Sequence, residues 1–122
     1  MKILIIDDSN FQRNQIKHIL EKNGYETLEA RDGEHGLQII EEEQPDCIIC
    51  DLLMPKMDGF EFLKILHDKK NQIPIMIISS NIQAPAKKIC LMHGAKAFLN
   101  KPIVKETLLL QLKDILGSKG SL

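Results

Sequence analysis

Three short apolar runs in this chain each end in polar residues that can hold a metal ion or a phosphoryl group. The pairs are Ile3–Ile6 with Asp7 and Asp8, Cys47–Cys50 with Asp51, and Ile75–Ile78 with Ser79 and Ser80. A fourth run, Ala97–Leu99, leads into Asn100, Lys101 and Pro102. Continuous apolar stretches of this length are typical of strands buried on both faces, as in a parallel sheet covered by helices.

The polar residues that follow these runs are predicted to meet in space. The carboxyl ends of parallel strands lie at one edge of the sheet, and open α/β sheets bind their ligands at that edge. Three carboxylates, a hydroxyl group and a lysine would then converge there. The sequence therefore predicts a site built from Asp7, Asp8, Asp51, Ser79 and Lys101.

Length and composition fit one globular domain and exclude several classes of protein. The chain has 122 residues, 43% of them hydrophobic, and a net charge of -1. This size allows a single core. The near-neutral charge argues against nucleic acid or a membrane surface as partner. No apolar stretch is long enough for a membrane span or a signal peptide. We therefore expect a cytoplasmic protein.

The three cysteines, Cys47, Cys50 and Cys90, are an odd number, which excludes a full disulfide framework. Cys47 and Cys50 have the spacing of a redox pair. However, such a pair needs a helix N-terminus to lower the pKa of one thiol. Both cysteines lie within a predicted strand and at an odd spacing, so they are expected on opposite faces as small buried side chains.

Predicted strands and helices alternate along the chain, which indicates an α/β fold with a doubly wound, five-stranded parallel sheet and five helices. Ser9 and Asp32 are predicted to cap the first two helices. We expect the first helix to place these apolar residues on one buried face: Phe11, Ile16, Ile19 and Leu20. We place the domain at residues 1–118, with a last helix over about 105–116 and a disordered tail at 119–122.

The chemistry of the predicted edge favours a hard metal ion over a nucleotide. A dinucleotide-binding sheet has a glycine-rich turn after its first strand. This chain has Asp7 and Asp8 there, which repel phosphate and attract a cation. With Asp51 they form an oxygen-only ligand set, which favours Mg²⁺ or Mn²⁺. Lys101 would supply further positive charge.

Metal, lysine, hydroxyl and carboxylate together are typical of a phosphoryl-transfer site. A carboxylate can act as the nucleophile and form an aspartyl phosphate. Asp51 stands alone at the end of its strand, which suits the nucleophile, whereas Asp7 and Asp8 suit metal binding. The Ser79 hydroxyl and Lys101 can each contact a phosphoryl oxygen.

At these residues the chain resembles the receiver domain of two-component response regulators, of the single-domain, chemotaxis type. The resemblance covers about residues 2–116. It rests on the residues above and on further motif elements: Met54-Pro55, Asp58-Gly59, Gly94-Ala95 and Lys101-Pro102. It implies a flavodoxin-like sheet of order 2-1-3-4-5 and a cis bond between Lys101 and Pro102.

The resemblance also implies function. Asp51 would accept a phosphoryl group from a sensor histidine kinase or a phosphotransfer protein, in a phosphoprotein that is not an enzyme in the ordinary sense. Asp7, Asp51 and the Leu53 backbone carbonyl would bind Mg²⁺ directly, and Asp8 would help through water. The expected chain is a monomer, with dimerisation on phosphorylation left open. Its role would be in chemotaxis, in a phosphorelay, or in control of a separate enzyme.

We place the output surface on the fourth helix, fifth strand and fifth helix. Phe98 occupies the position where the family carries an aromatic switch, and it would turn inward when Ser79 moves toward the phosphoryl group. On a helical wheel Leu110 lies opposite an apolar stripe of Val104, Leu108, Leu112 and Ile115. The predicted surface, which would bind a phosphorylation-dependent protein target, comprises Lys87, Lys88, Phe98, Ile103 and Leu110.

Three other functions fit the sequence less well. An aspartyl-phosphate hydrolase would carry a second Asp two residues after its nucleophile, but this chain has Leu53 there, which cannot transfer a proton. A degenerate receiver that never takes phosphate is disfavoured by the intact set of Asp7, Asp8, Asp51 and Lys101. A flavin or nucleotide carrier is disfavoured by the acidic first loop.

Overall fold

Five parallel strands alternate with five helices in a computed structural model of the chain, which describes residues 1–80 and 84–120. The strands are β1 (Lys2–Ile6), β2 (Glu26–Ala30), β3 (Cys47–Asp51), β4 (Ile75–Ser79) and β5 (Ala97–Asn100). The helices are α1 (Asn10–Lys22), α2 (Gly33–Glu43), α3 (Gly59–Asp68), α4 (Ala84–Met92) and α5 (Lys105–Gly120). The strands form one sheet of order β2-β1-β3-β4-β5, which confirms the predicted fold.

The sheet separates two hydrophobic clusters. One cluster joins Leu4, Ile48 and Ile77 to α3 and α4 residues such as Phe62 and Cys90. The other joins odd-numbered positions of β1 to buried residues of α1 and α5, which are Ile16, Leu20, Leu108, Leu112 and Leu116. The central strands are therefore covered on both faces, as their continuous apolar sequences predict.

The cysteines lie inside these clusters. Cys47 belongs to the α1/α5 cluster, whereas Cys50 and Cys90 belong to the opposite one. None of the three forms a disulfide, and all are fully buried. The prediction that Cys47 and Cys50 lie on opposite faces of the sheet is confirmed.

Local hydrogen bonds determine where the helices begin. The Ser9 side chain accepts from the Gln12 amide, and Asp32 accepts in the same way from the His35 amide. Asp58 caps α3 by accepting from the Glu61 amide at 2.9 Å. These caps satisfy backbone N–H groups that have no partner within the helix. They also set where each loop between a strand and a helix ends.

Phe11 is exposed, contrary to the prediction. Its side chain is 81% accessible, whereas Ile16 and Leu20 are buried. The buried face defined by these two residues continues one turn earlier through Gln12 and Arg13, which are half-buried. Because Phe11 lies outside that stripe of positions spaced three and four apart, it projects into solvent.

The last helix also differs from the prediction. It continues to Gly120, past Gly117, since one glycine weakens a helix by only about 1 kcal/mol and no proline interrupts the segment. Residues 119 and 120, assigned to the tail, are therefore helical, and residues 121–122 lie outside the described part. Val104 precedes the helix and is 54% exposed, so the observed stripe begins at Leu108.

None of the helices in the described ranges is both long and apolar enough to cross a bilayer.

We predict that Gly59→Ala destabilises the fold. A Cβ at Gly59 would lie 2.9 Å from the Leu52 Cα and 3.2 Å from the Asp51 carbonyl oxygen, and this backbone cannot yield easily. Chemical unfolding should show a loss of about 1–3 kcal/mol. Gly117→Ala is the matched control, because nothing lies within 4 Å of its added Cβ. It should raise stability by up to about 1 kcal/mol. Equal stability of the two variants would contradict the prediction.

Candidate functional site

The carboxyl ends of four strands bring the predicted polar residues to one edge of the sheet. Asp51 and Ser79 are the last residues of β3 and β4, and Asp7 and Lys101 directly follow β1 and β5. Asp7 and Asp51 are 2% and 6% exposed, and Ser79 is fully buried. These three polar side chains are therefore buried at the edge of the sheet rather than exposed on it.

Three carboxylates form a cluster at this edge. One oxygen atom each from Asp7, Asp8 and Asp51 lies within 4.8 Å of the others. Asp7 and Asp51 are buried and Asp8 is exposed. An oxygen-only set with one open side fits a hard divalent cation that keeps several water ligands. The residues present therefore fit Mg²⁺ or Mn²⁺.

Lys101 lies between the two buried carboxylates. Its Nζ is 3.1 Å from Asp51 Oδ2 and 3.7 Å from Asp7 Oδ2. Burial raises the pKa of Asp51, the charge of Asp7 raises it further, and Lys101 lowers it. Burial likewise raises the pKa of Asp7, against the lowering effects of the Ser9 amide and Lys101. The Lys101 charge therefore favours the ionised form of both acids, against the effect of burial.

Backbone hydrogen bonds orient the carboxylates. Asp7 Oδ1 accepts from the Ser9 amide at 2.9 Å, and the Asp7 amide donates to the Ala30 carbonyl at 3.1 Å. Asp51 Oδ1 accepts from the Leu53 amide at 3.4 Å. Each acid is therefore held by the loop that follows its own strand.

The strand pair β4–β5 connects Ser79 with Lys101. Ser79 pairs with Asn100 in the parallel register, and the Lys101 amide donates to the Ser79 carbonyl oxygen at 2.8 Å. The Lys101–Pro102 peptide bond is cis, as predicted. The hydroxyl and the ammonium group are therefore carried by neighbouring, hydrogen-bonded segments.

Other predicted residues surround this edge or lie apart from it. Leu53 follows Asp51 by two residues and is 56% exposed. Phe98 is half-buried on β5 and packs against the α3/α4 cluster. Ile103 is half-buried against the opposite cluster, whereas Leu110 is 68% exposed. Lys87 and Lys88 are exposed on α4.

Sequence reasoning missed Arg13. Its guanidinium donates to the Asp7 carbonyl oxygen, so it touches the acidic loop from the first turns of α1. The available signal was a basic residue four positions after the helix cap Ser9, on the half-buried face of the helix. Periodicity alone could not indicate that its side chain turns back toward the sheet.

Comparison with known proteins identifies relatives over almost the whole chain. The family described as "Response regulator receiver domain" matches residues 3–113. The protein PilH of Pseudomonas aeruginosa is 32% identical over 118 residues, covering 95% of this chain and 98% of PilH. The alkaline phosphatase synthesis transcriptional regulatory protein PhoP of Bacillus subtilis is 34% identical over 115 residues. That match covers 94% of this chain, which spans 48% of the length of PhoP.

Solved structures show the same architecture. The receiver domain of the Francisella response regulator 1452 superimposes with a TM-score of 0.92 at 30% identity, covering 97% of this chain and 98% of that one. The chemotaxis protein CheY4 of Vibrio cholerae superimposes with a TM-score of 0.87 at 34% identity, covering 93% and 97%.

We predict that Lys101→Met destabilises the folded protein. The substitution keeps the aliphatic stem but leaves Asp51 and Asp7 as adjacent buried carboxylates without the ammonium group. Loss of a hydrogen bond between charged groups should cost about 1.5–3 kcal/mol in chemical unfolding without divalent cations. The exposed Lys96→Met is the control and should change stability little. If both variants unfold like the wild type, Lys101 does not compensate the two acids.

Proposed function

The chain belongs to the response regulator receiver family of two-component signalling, and we propose that it accepts a phosphoryl group on Asp51. The family interacts with histidine kinases or phosphotransfer proteins, which would be the phosphodonors here. One observation carries the proposal: the Lys101 ammonium group contacts Asp51 at 3.1 Å, while Asp7 and Asp8 complete a cation-binding cluster beside it.

The proposed transfer uses Asp51 as nucleophile. A carboxylate oxygen attacks the phosphorus of a phosphohistidine on the donor protein, so that a P–O bond forms as the P–N bond breaks. The imidazole leaves with the bonding electron pair and takes up a proton. Lys101 stabilises the negative charge of the phosphoryl oxygens, and the Ser79 hydroxyl donates a hydrogen bond to one of them.

The proposed metal ligands are the carboxylates of Asp7 and Asp51 and the backbone carbonyl of Leu53, with Asp8 acting through water. Mg²⁺ or Mn²⁺ at this position would neutralise phosphoryl charge that Lys101 alone cannot. The support is the chemistry of the cluster, in which every side-chain donor is a carboxylate oxygen and one acid faces solvent. Asp7 is the best-supported metal ligand, because hydrogen bonds hold both its carboxylate, through the Ser9 amide, and its backbone amide, through the Ala30 carbonyl.

We further propose that phosphorylation changes the surface formed by α4, β5 and α5. Ser79 would move toward the phosphoryl group and free space for the Phe98 ring, which is half-buried in the described structure. Since Phe98 has no hydroxyl group, the change would rest on packing. A target protein would then select the conformer favoured by phosphorylation. The proposed contact residues are Lys87, Lys88, Phe98, Ile103 and Leu110.

We propose a cytoplasmic, single-domain regulator whose receiver domain comprises residues 1–118 and which works as a monomer. It would carry out its own phosphorylation, from a small donor, and its own dephosphorylation. The similarity to the chemotaxis protein CheY4 supports a chemotaxis-type role. PhoP is about twice as long as the matched segment, so a receiver of this kind also occurs with other outputs. A phosphorelay intermediate or a regulator of a separate enzyme is the alternative.

Asp51→Asn should abolish phosphate uptake. Incubation of the wild type with Mg²⁺ and a small phosphodonor, such as phosphoramidate, should add one phosphoryl group in intact mass spectrometry. An amide is a far poorer nucleophile than a carboxylate, so the variant should stay unmodified. Asp58→Asn is the matched control, since Asn caps helices as well as Asp does. Equal uptake by Asp51→Asn would refute the assignment.

Leu53→Asn should shorten the lifetime of the phosphoprotein. Hydrolysis needs a water molecule held in line with the phosphorus. The exposed Leu53 side chain offers no hydrogen bond and should hinder that water, whereas an amide could orient it. In the sequence, Asn81 follows Ser79 by two residues, as Leu53 follows Asp51, and we propose it as the other flank of this approach; it lies outside the described residues. Loss of phosphate can be followed by intact mass after removal of the donor. Leu53→Ala separates bulk from hydrogen bonding, and a rate for Leu53→Asn no faster than that of the wild type would contradict the argument.

Phe98→Ala and Leu110→Glu should separate phosphorylation from output. Both lie away from the acidic edge, so phosphate uptake should survive. Binding of the phosphorylated protein to its target should fall, because an apolar anchor is lost or replaced by charge. Affinity capture with phosphorylated and unphosphorylated protein provides the measurement. Lys64→Glu, an exposed change on α3, is the control. Undiminished binding by both variants would place the output surface elsewhere.

A further inference from the structure

Arg13 lies outside the proposed phosphoryl-transfer site but contacts the loop that supports it. From α1 its Nη1 donates to the Asp7 carbonyl oxygen, and its Nη2 donates to Asn10 Oδ1. Its side chain is only 13% exposed. The guanidinium therefore ties the helix to the segment that carries Asp7 and Asp8.

A second contact holds the guanidinium in place. Arg13 Nε lies 3.3 Å from Glu29 Oε1 on the edge strand β2, and Lys17 Nζ lies 3.3 Å from the other oxygen of the same carboxylate. A guanidinium presents its donors in a rigid planar fork, so it can contact Asp7, Asn10 and Glu29 together. An ammonium group cannot reproduce that arrangement.

These contacts complete the restraints on Asp7. Its amide donates to Ala30, its Oδ1 accepts from the Ser9 amide, and its carbonyl oxygen accepts from Arg13. The amide and the carbonyl oxygen of Asp7, together with one oxygen of its carboxylate, thus all have hydrogen-bond partners. The carboxylate that would bind the cation has little freedom to rotate away.

We propose that Arg13 is a positioning residue, which holds the Asp7–Asp8 loop in the geometry that binds a divalent cation. The inference rests on the proposed function of the acidic cluster. The direction in which cation affinity changes on removal of Arg13 distinguishes a positioning role from a purely electrostatic one. As a positive charge near the cluster, Arg13 should weaken cation binding, so its removal should tighten binding if charge were its whole effect. As a positioning group, its loss should weaken binding.

The experiment measures the dissociation constant of Mn²⁺, added as the only divalent cation, by the electron paramagnetic resonance signal of the free ion. Wild type is compared with Arg13→Lys, Arg13→Met and Lys17→Met. Arg13→Lys keeps the positive charge but loses the planar set of guanidinium donors, and Arg13→Met loses both. Lys17→Met is the matched control, because Lys17 pairs with the other oxygen of the Glu29 carboxylate that Arg13 contacts. Circular dichroism verifies that each variant is folded at the assay temperature.

We expect both Arg13 variants to bind Mn²⁺ more weakly, on the order of tenfold, as found when groups that orient metal ligands are removed. Lys17→Met should bind like the wild type. Unchanged binding by Arg13→Lys, or tighter binding by Arg13→Met, would overturn the inference. If the wild type itself bound no Mn²⁺, or if Asp51→Asn bound it equally well, the proposed metal site would fail instead.

Discussion

The contact between Lys101 and the two buried carboxylates is the interaction on which the acidic edge depends. Parallel strands with apolar interiors force Asp7 and Asp51 to the same edge, where burial and mutual repulsion both raise the pKa of Asp51. An ammonium group at 3.1 Å from Asp51 and 3.7 Å from Asp7 offsets these costs only in part, since burial remains the largest effect on the pKa of both acids. Three carboxylates at this edge face one ammonium group, so the ionised cluster carries an excess of negative charge. A cluster of this kind attracts a cation, and a bound cation can in turn attract an anion.

The same edge shows how a small chemical change can reach a distant surface. Lys101 follows β5 directly, and its amide is bonded to the Ser79 carbonyl of the adjacent strand. Phe98 lies on that same β5, three residues before Lys101. If the proposed phosphoryl group draws the hydroxyl or the ammonium group toward it, the displacement would act on two paired strands rather than on a loop. This continuity is a physical basis for coupling, because packed elements shift between discrete arrangements rather than deforming smoothly.

Much of this architecture could be predicted from sequence because its causes are local. Four of the strands follow from continuous apolar runs, and the starts of the first two helices follow from the capping residues Ser9 and Asp32. The strand order came from the family resemblance, since local patterns do not specify which strands pair. Phe11 was misplaced because its apolar character was read without the phase set by Ile16 and Leu20. The contacts of Arg13 could not be predicted, as they join residues from α1, β1 and β2, and depend on one side-chain conformation.

Residues held at the ends of buried strands differ from exposed helix residues in how freely they can change, and this difference affects which partners such a domain can bind. Asp7, Asp51, Ser79 and Lys101 lie at or directly after the carboxyl ends of buried strands, so the packing of the core fixes their positions. Leu110, in contrast, is 68% exposed on a helix whose opposite side is fully packed. Its replacement would cost the fold little. The matched relatives include both PilH, of which this chain covers 98%, and PhoP, of which it spans 48%. Substitutions on the outer faces of the helices can therefore alter contacts with a partner without moving the residues at the strand ends.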